Sequence, residues 1–242
     1  MATVPVPPLA GVFGGGGLFG IGYALGIIDG LRERGIDLTG CPMLGTSAGS
    51  WAAAATALSV PFEDLVALDV PSLPNPHPGV LASYAREVFG EATNELVHVV
   101  VTELPWLHRT ILTGEHIPLA DLVAASSAVP GLLAPHIINH KRYVDGGIRH
   151  SLSIDLMGPA ASLIVITPLA GAMFGPFGHI VDRQIHAEER EWSSHNFGTI
   201  LEFSPESETA HIATMPQHLF DKARAIDAYH HGRSEATDRT IE

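Results

Sequence analysis

Hydrophobic positions along this chain follow two alternating rhythms. Short, nearly continuous apolar runs rich in β-branched residues occur at 8–13 (PLAGVF), 96–104 (LVHVVVTEL) and 162–169 (SLIVITPL). Runs of this kind, bounded by glycine and proline, predict buried strands. Further strands are expected at the end of 36–46, at 198–205 and, with a weaker pattern, at 108–114. Between them lie segments of helical period. The first is 18–35, closed by Gly35, and an alanine-rich stretch follows at 47–58. Others are 61–70, 79–92, 117–130 (ending at Pro130), 178–195 and a terminal helix at 216–236. The stretch 136–147 reads as a hairpin leading into an Asp-Gly-Gly turn. Prolines 71, 74, 76 and 78 mark a surface loop at 71–78, with a lid edge or membrane-facing cap as the alternative. Strand, tight turn and helix occur twice in the first 58 residues. That order predicts an α/β fold, a three-layer α/β/α sandwich around a mainly parallel central sheet. No internal repeat or linker interrupts the pattern. A single domain is expected over 1–242, with the motifs in 9–170 and a closing strand and helix in 171–242.

Composition narrows the function. Hydrophobic residues make up 46% and charged residues 16%, the balance of a globular chain. A formal net charge of −13 argues against nucleic acid, and against electrostatic attraction to an anionic lipid surface. Contact with a membrane, if transiently made, would therefore be apolar. Cys41 is the only cysteine, which excludes an intrachain disulfide and a cysteine-based metal cluster. The first charged residue is Asp29, so the basic start of a secretory signal is missing. The apolar run 18–28 is shorter than a bilayer span and broken by Gly20, Gly22 and Gly26. A cytoplasmic protein, at most peripheral to a membrane, is the expectation.

Two motifs suggest chemistry. The stretch 11–28 (GVFGGGGLFGIGYALGII) holds eight glycines and no charge. A glycine turn before a helix exposes adjacent N–H groups, which suit an oxyanion or a phosphate. Gly15, Gly17 and Gly20 even form a G-x-G-x-x-G spacing, but Asp37 does not stand at a convincing strand end for a dinucleotide site. No Gly-Lys-Ser/Thr follows, which excludes a P-loop. The second motif is Gly45-Thr46-Ser47-Ala48-Gly49, a G-x-S-x-G at a strand-to-helix junction. There the serine occupies a strained turn and the new helix directs its positive end at the hydroxyl. A serine N-cap with glycine packing would give the same five letters.

A serine nucleophile needs a base. Fourteen histidines are present, and His150, His179, His186, His195 and His211 all follow Asp145, so number alone singles out none. Lys141 and Lys222 are the only lysines, and no S-x-x-K begins at Ser47. The remaining option is direct action by Asp145, in RYVDGG, where a turn-opening aspartate is the ordinary alternative. His136 and His140 lack zinc-site spacing, and no H-E-x-x-H occurs, so no metal is expected. Trp51 reads as core packing or as a wall of an acyl channel.

The ordered set GGGGLFG, GTSAG, AASSAVPGLLAP and RYVDGG resembles the patatin-like phospholipase family, over about residues 9–170. The resemblance implies a patatin-like α/β sandwich and a Ser-Asp dyad hydrolysing lipid acyl esters, with Ser47 as nucleophile and Asp145 as base. It implies an oxyanion hole from Gly15, Gly16 and Gly17, with Gly20, Gly45, Gly49, Gly146 and Gly147 supporting the motifs. No cofactor is implied. Phe19 departs from the Arg or Lys that many members carry, leaving the oxyanion to backbone donors. A carboxylesterase or thioesterase for small soluble esters, and a non-catalytic lipid- or protein-binding domain, are the alternatives.

Overall fold

The computed structural model describes residues 5–69, 72–148, 150 and 152–240. In chain order its elements are β1 (Leu9–Phe13), α1 (Gly17–Glu33), β2 (Met43–Thr46), α2 (Ala48–Leu58), α3 (Phe62–Ala67), α4 (Val80–Phe89), β3 (Asn94–Leu104) and β4 (His108–Gly114). Then come α5 (Leu119–Ser126), β5 (His136–Ile138), β6 (Lys141–Asp145), β7 (Ser162–Ile166), α6 (Pro176–His195), β8 (Thr199–Phe203), α7 (Ser207–Ala210) and α8 (Lys222–Asp238).

One eight-stranded sheet organises these elements, in the order β5-β6-β3-β2-β1-β7-β8 with β4 also on β3. Strands β3, β2, β1, β7 and β8 run parallel. The antiparallel strands β4, β5 and β6 gather at the β3 end. Alternation of side chains across β1 separates two cores. Phe13 packs with residues of α1, α2, α5 and α8. Ala10 and Val12 point the other way, onto Val181, Ile185 and Trp192 of α6. The three expected layers are therefore present, with the α1 face much the thicker.

Helix α1 is uncharged over most of its length because it is enclosed between the sheet and α8. Its glycines have a second purpose that the motif reading did not reveal. A methyl group on Gly22 would stand 2.1 Å from the Ala225 carbonyl oxygen, and one on Gly26 2.1 Å from that of Tyr229. Glycine at this four-residue spacing lets two helix backbones touch. Polar clamps flank the seam, from the Tyr23 hydroxyl to Glu235 at 2.7 Å and from the Tyr229 hydroxyl to Asp29 at 2.8 Å.

Three boundaries differ from the sequence expectation. α5 stops at Ser126 rather than Pro130, because residues 126–128 turn to bond the neighbouring strands. The terminal helix is split: a 3₁₀ turn occupies Pro216–Phe220, and α8 starts after Asp221, whose carboxylate accepts the Arg224 N–H at 3.1 Å as an N-cap. α3 ends at Ala67, and the remainder of the 61–70 prediction reaches Val70, which with Pro71 lies outside the described residues. No helix among the described residues is long and apolar enough to cross a membrane.

Backbone contact between α1 and α8 makes a strong prediction. Gly26→Ala should destabilise the protein by about 1–3 kcal/mol or more through overpacking. Gly40→Ala, with nothing within 4 Å of its added methyl, should be near neutral. Urea denaturation of both variants checks this.

Candidate active site

The site is built on one edge of β3. β4 takes the other edge, pairing residues 98–103. β2 and β6 must then share what is left. β2 rises alongside β3 and ends with Thr46 opposite Val100. β6 descends from the opposite direction and ends with Asp145 opposite Val101. Two strands meet end to end, so residues 99 apart in sequence, 46 and 145, become neighbours.

At the end of β2 the chain reverses into α2. Ser47 is the pivot, with φ 53° and ψ −121°, a conformation that L-residues adopt only under constraint. Close approach requires glycine on both sides of it. A methyl at Gly49 would lie 2.0 Å from the Phe13 carbonyl oxygen, and one at Gly45 2.5 Å from the Ser50 backbone. Two residues overlooked in the sequence hold the turn. The Ser126 Oγ accepts the Ser47 N–H at 2.9 Å and donates to the Val100 carbonyl at 2.8 Å. It therefore satisfies the acceptor left over where β2 stops. The Ala128 carbonyl accepts the Asp145 N–H at 3.0 Å. Both residues lie inside AASSAVPGLLAP, so the local signal was there. Nothing in the sequence, however, told which strands the segment would touch. Ser127 adds a third tie, accepting the Trp51 indole N–H at 3.1 Å.

Asp145 is 5% exposed. Burial pushes its carboxyl up from 3.8 to about 6, against the lowering effect of hydrogen bonds from the Ser47 hydroxyl and the Gly147 N–H. The Gly147 N–H lies 2.7 Å from Oδ1. Gly146 presses on the end of the β2–β3 pair, where an added methyl would stand 2.4 Å from the Val100 carbonyl oxygen.

The glycine turn forms the facing wall. Gly15 lies against Ser47, whose Oγ is 4.0 Å from the place a Gly15 methyl would occupy. Gly16 and Gly17 adopt φ 146° and 59°, which lets the chain enter α1 abruptly. Gly17 begins α1 and Ala48 begins α2, and first-turn N–H groups have no intrahelical acceptor. A methyl added at Gly20 would lie 3.2 Å from the Ala48 methyl, so glycine there lets the two helix starts come close. Phe19 is fully buried and stacks on Tyr23, so it takes no part in the wall.

Ser47, Asp145, Ala48 and all three glycines line one cavity of about 360 Å³. Its remaining lining is mostly apolar, including Trp51, Leu65, Leu68, Leu81, Leu132 and Leu133, with Asp69, Tyr84 and Ser127 as its polar members. The proline-rich loop contributes Leu73, and the turn before α8 contributes Leu219 and Phe220. Among the described residues, no histidine or lysine lines it. Two of the histidines are engaged elsewhere, His136 with Asp121 at 2.9 Å and His150 with Glu188 at 2.9 Å. Glu188 also accepts the Ser153 and Ile154 N–H groups, which fixes the chain after Asp145. A separate group, His186, Glu189 and Glu202, brings metal-ligand atoms within 4.8 Å of one another on α6 and β8, away from the cavity lining.

The architecture is an α/β sandwich with a serine elbow at the end of one central strand and a glycine turn at the end of the next. The patatin-like phospholipase family model matches residues 65–157, a stretch containing the Ser126–Ala128 buttress and Asp145. An uncharacterized NTE family protein of Mycobacterium bovis and two of Mycobacterium tuberculosis are each 28% identical over 187 residues, covering 70% of this chain. The chain spans about half the length of these curated relatives, 51%. The crystal structure of VipD from Legionella pneumophila superposes with a TM-score of 0.52 at 16% identity, covering 97% of this chain and 67% of that one, a likeness of fold. The chain is thus similar to the patatin-like phospholipase family over residues 65–157 and to NTE family proteins over 187 residues.

Two outcomes test the geometry. A carboxyl raised from 3.8 to about 6 in the folded state lowers stability as pH rises between those values. Asp145→Asn removes that ionisation. It should raise stability at pH 7.5 by about 1–3 kcal/mol, a gain that vanishes near pH 4, as followed by urea denaturation across pH. Ser126→Ala leaves the Ser47 N–H and the Val100 carbonyl without their partner. It should cost about 1–3 kcal/mol in the same assay.

Proposed function

We propose that this protein is a serine acyl hydrolase of lipid esters, working through a Ser47–Asp145 dyad within a single domain. The observation that carries the reading is a buried carboxyl, raised to about 6 by burial, beside a strained serine in a largely apolar cavity whose other carboxylate, Asp69, is exposed.

The steps follow from the placement of groups. The ester carbonyl lies between Ser47 and the glycine turn, with the acyl chain along Trp51, Leu65 and Leu81. As the Ser47 Oγ attacks the carbonyl carbon, its proton passes to Asp145. N–H groups of residues 15–17 and Ala48 stabilise the oxyanion, helped by the positive ends of two helices. Collapse breaks the bond to the alcohol oxygen, which leaves with the proton from Asp145. Water then attacks the acyl-serine and gives its proton to Asp145. The fatty acid departs and Ser47 recovers its proton. No metal or cofactor is needed. A base with a pKa of about 6 is ionised at neutral pH yet far stronger than an ordinary aspartate, so burial serves the reaction.

The cavity volume of about 360 Å³ and its leucine-rich wall favour a long acyl chain over a small soluble ester. The intact dyad and glycine turn favour an enzyme over a non-catalytic binding domain.

Hydrolysis of p-nitrophenyl esters of graded chain length tests the reading. Activity should increase with chain length. Ser47→Ala and Asp145→Asn should each lower kcat/KM by about 10³-fold or more. The wild-type kcat/KM should rise with pH through about 6 as Asp145 ionises, then level off. An Asp145→Asn variant with wild-type rates would refute the dyad. A wild type that prefers acetate esters would shift the reading to a small-ester esterase.

A further inference from the structure

Most large apolar side chains left exposed are scattered, but two stand together on a projection. Trp106 is 85% exposed and Leu107 42% exposed, at the tip of the β3–β4 hairpin. The direction of β3 fixes where that tip points. β3 runs parallel to β2, and Val100 is level with Thr46, the last residue before the elbow. The strand continues to Leu104, four residues farther, or about 13 Å at strand rise. Trp106 and Leu107 therefore stand beyond the carboxyl ends of the sheet, on the end where the Ser47 cavity opens. Ile148 and Phe220, also exposed, lie on the lining of that cavity. Beside the hairpin, Arg142 pairs with Leu104 across the ladder and is exposed, with no ion-pair partner among the described residues. The neighbouring Lys141 is held by Glu103 at 3.0 Å. A chain of net charge −13 thus carries an unopposed cation next to its most exposed tryptophan.

From this arrangement we infer that the β3–β4 hairpin tip is a membrane anchor. Trp106 and Leu107 enter the interface of a phospholipid bilayer, Arg142 meets lipid phosphate, and the cavity mouth faces the lipid. A tryptophan with an apolar neighbour and a nearby arginine matches the boundary between acyl chains and headgroups. Apolar insertion is also the mode of attachment open to an acidic protein, which a charged surface would repel as a whole. The inference rests on the lipid-ester reading above, since it supplies the surface from which substrate enters.

The protein contains its own reporter. Of three tryptophans, Trp51 is 7% and Trp192 2% exposed, so emission from a wet indole belongs to Trp106. Adding phosphatidylcholine vesicles to the full chain should shift tryptophan emission to the blue. In vesicle sedimentation, Trp106→Ala with Leu107→Ala should weaken binding roughly tenfold to a hundredfold. Hydrolysis of a soluble p-nitrophenyl ester by the double variant should match wild type. Unshifted emission, or equal sedimentation of wild type and variant, would overturn the anchor. So would a Trp106 already blue-shifted without lipid that reddens on dilution, which would mean that a second copy covers it. If the soluble ester is not cleaved by wild type, the hydrolase reading fails, while sedimentation and emission still decide the anchor.

Discussion

Everything at this site depends on how β3 divides its edges. A strand can pair with only one neighbour at each position along an edge. With β4 on one side, β2 and β6 are forced to meet head-on along the other, at Val100 and Val101. The two chain ends that meet there are Ser47 and Asp145. Their contact is a consequence of hydrogen-bond register in a sheet, and so it is fixed far more stiffly than two flexible loops could fix it. The junction leaves the Val100 carbonyl without a strand partner, and Ser126 supplies one while holding the Ser47 amide. Residues 126–128 thus buttress Ser47 and Asp145 together.

The same arrangement creates a tension between stability and chemistry. Asp145 is buried with few donors, so its ionised form is disfavoured, and the folded protein is less stable at neutral pH than it would be with a neutral side chain there. Ser47 adds backbone strain. Both costs are offset by packing around them. The enclosed α1, seated against α8 through glycines, anchors the turn that presents residues 15–17. The apolar cavity wall is likewise exposed to loss of hydrophobic burial unless a ligand fills it. A wall of leucines beside a raised carboxyl makes sense where the ligand is itself a hydrocarbon chain.

Legibility in the sequence was uneven for identifiable reasons. The parallel core strands were visible because buried parallel strands are continuous apolar runs, as in SLIVITPL. The elbow and the Asp-Gly-Gly turn were visible because glycine is the only residue that tolerates their close contacts. Gly22 and Gly26 could not be interpreted in advance, since a glycine in a helix gives no sign of which backbone will touch it. The stop of α5 at Ser126 was missed because helix propensity continues into the following alanine, whereas the hydrogen bonds that end the helix lie on other strands. The division of the terminal helix depended on Asp221 acting as a cap, one of several polar residues that could have served.

The sequence by itself determined the alternation of strands and helices, the two motifs with strained turns, and the absence of cysteine chemistry. These are local properties, set by side-chain period and by glycine. The tertiary structure decided how Asp145, named as a candidate from RYVDGG, comes to stand beside Ser47, through the meeting of β2 and β6 on one edge of β3. It also decided that leucines from seven separate segments would line one cavity and that Trp106 would stand exposed at the tip of the β3–β4 hairpin. Those facts depend on the order in which strands share edges, which no local pattern encodes.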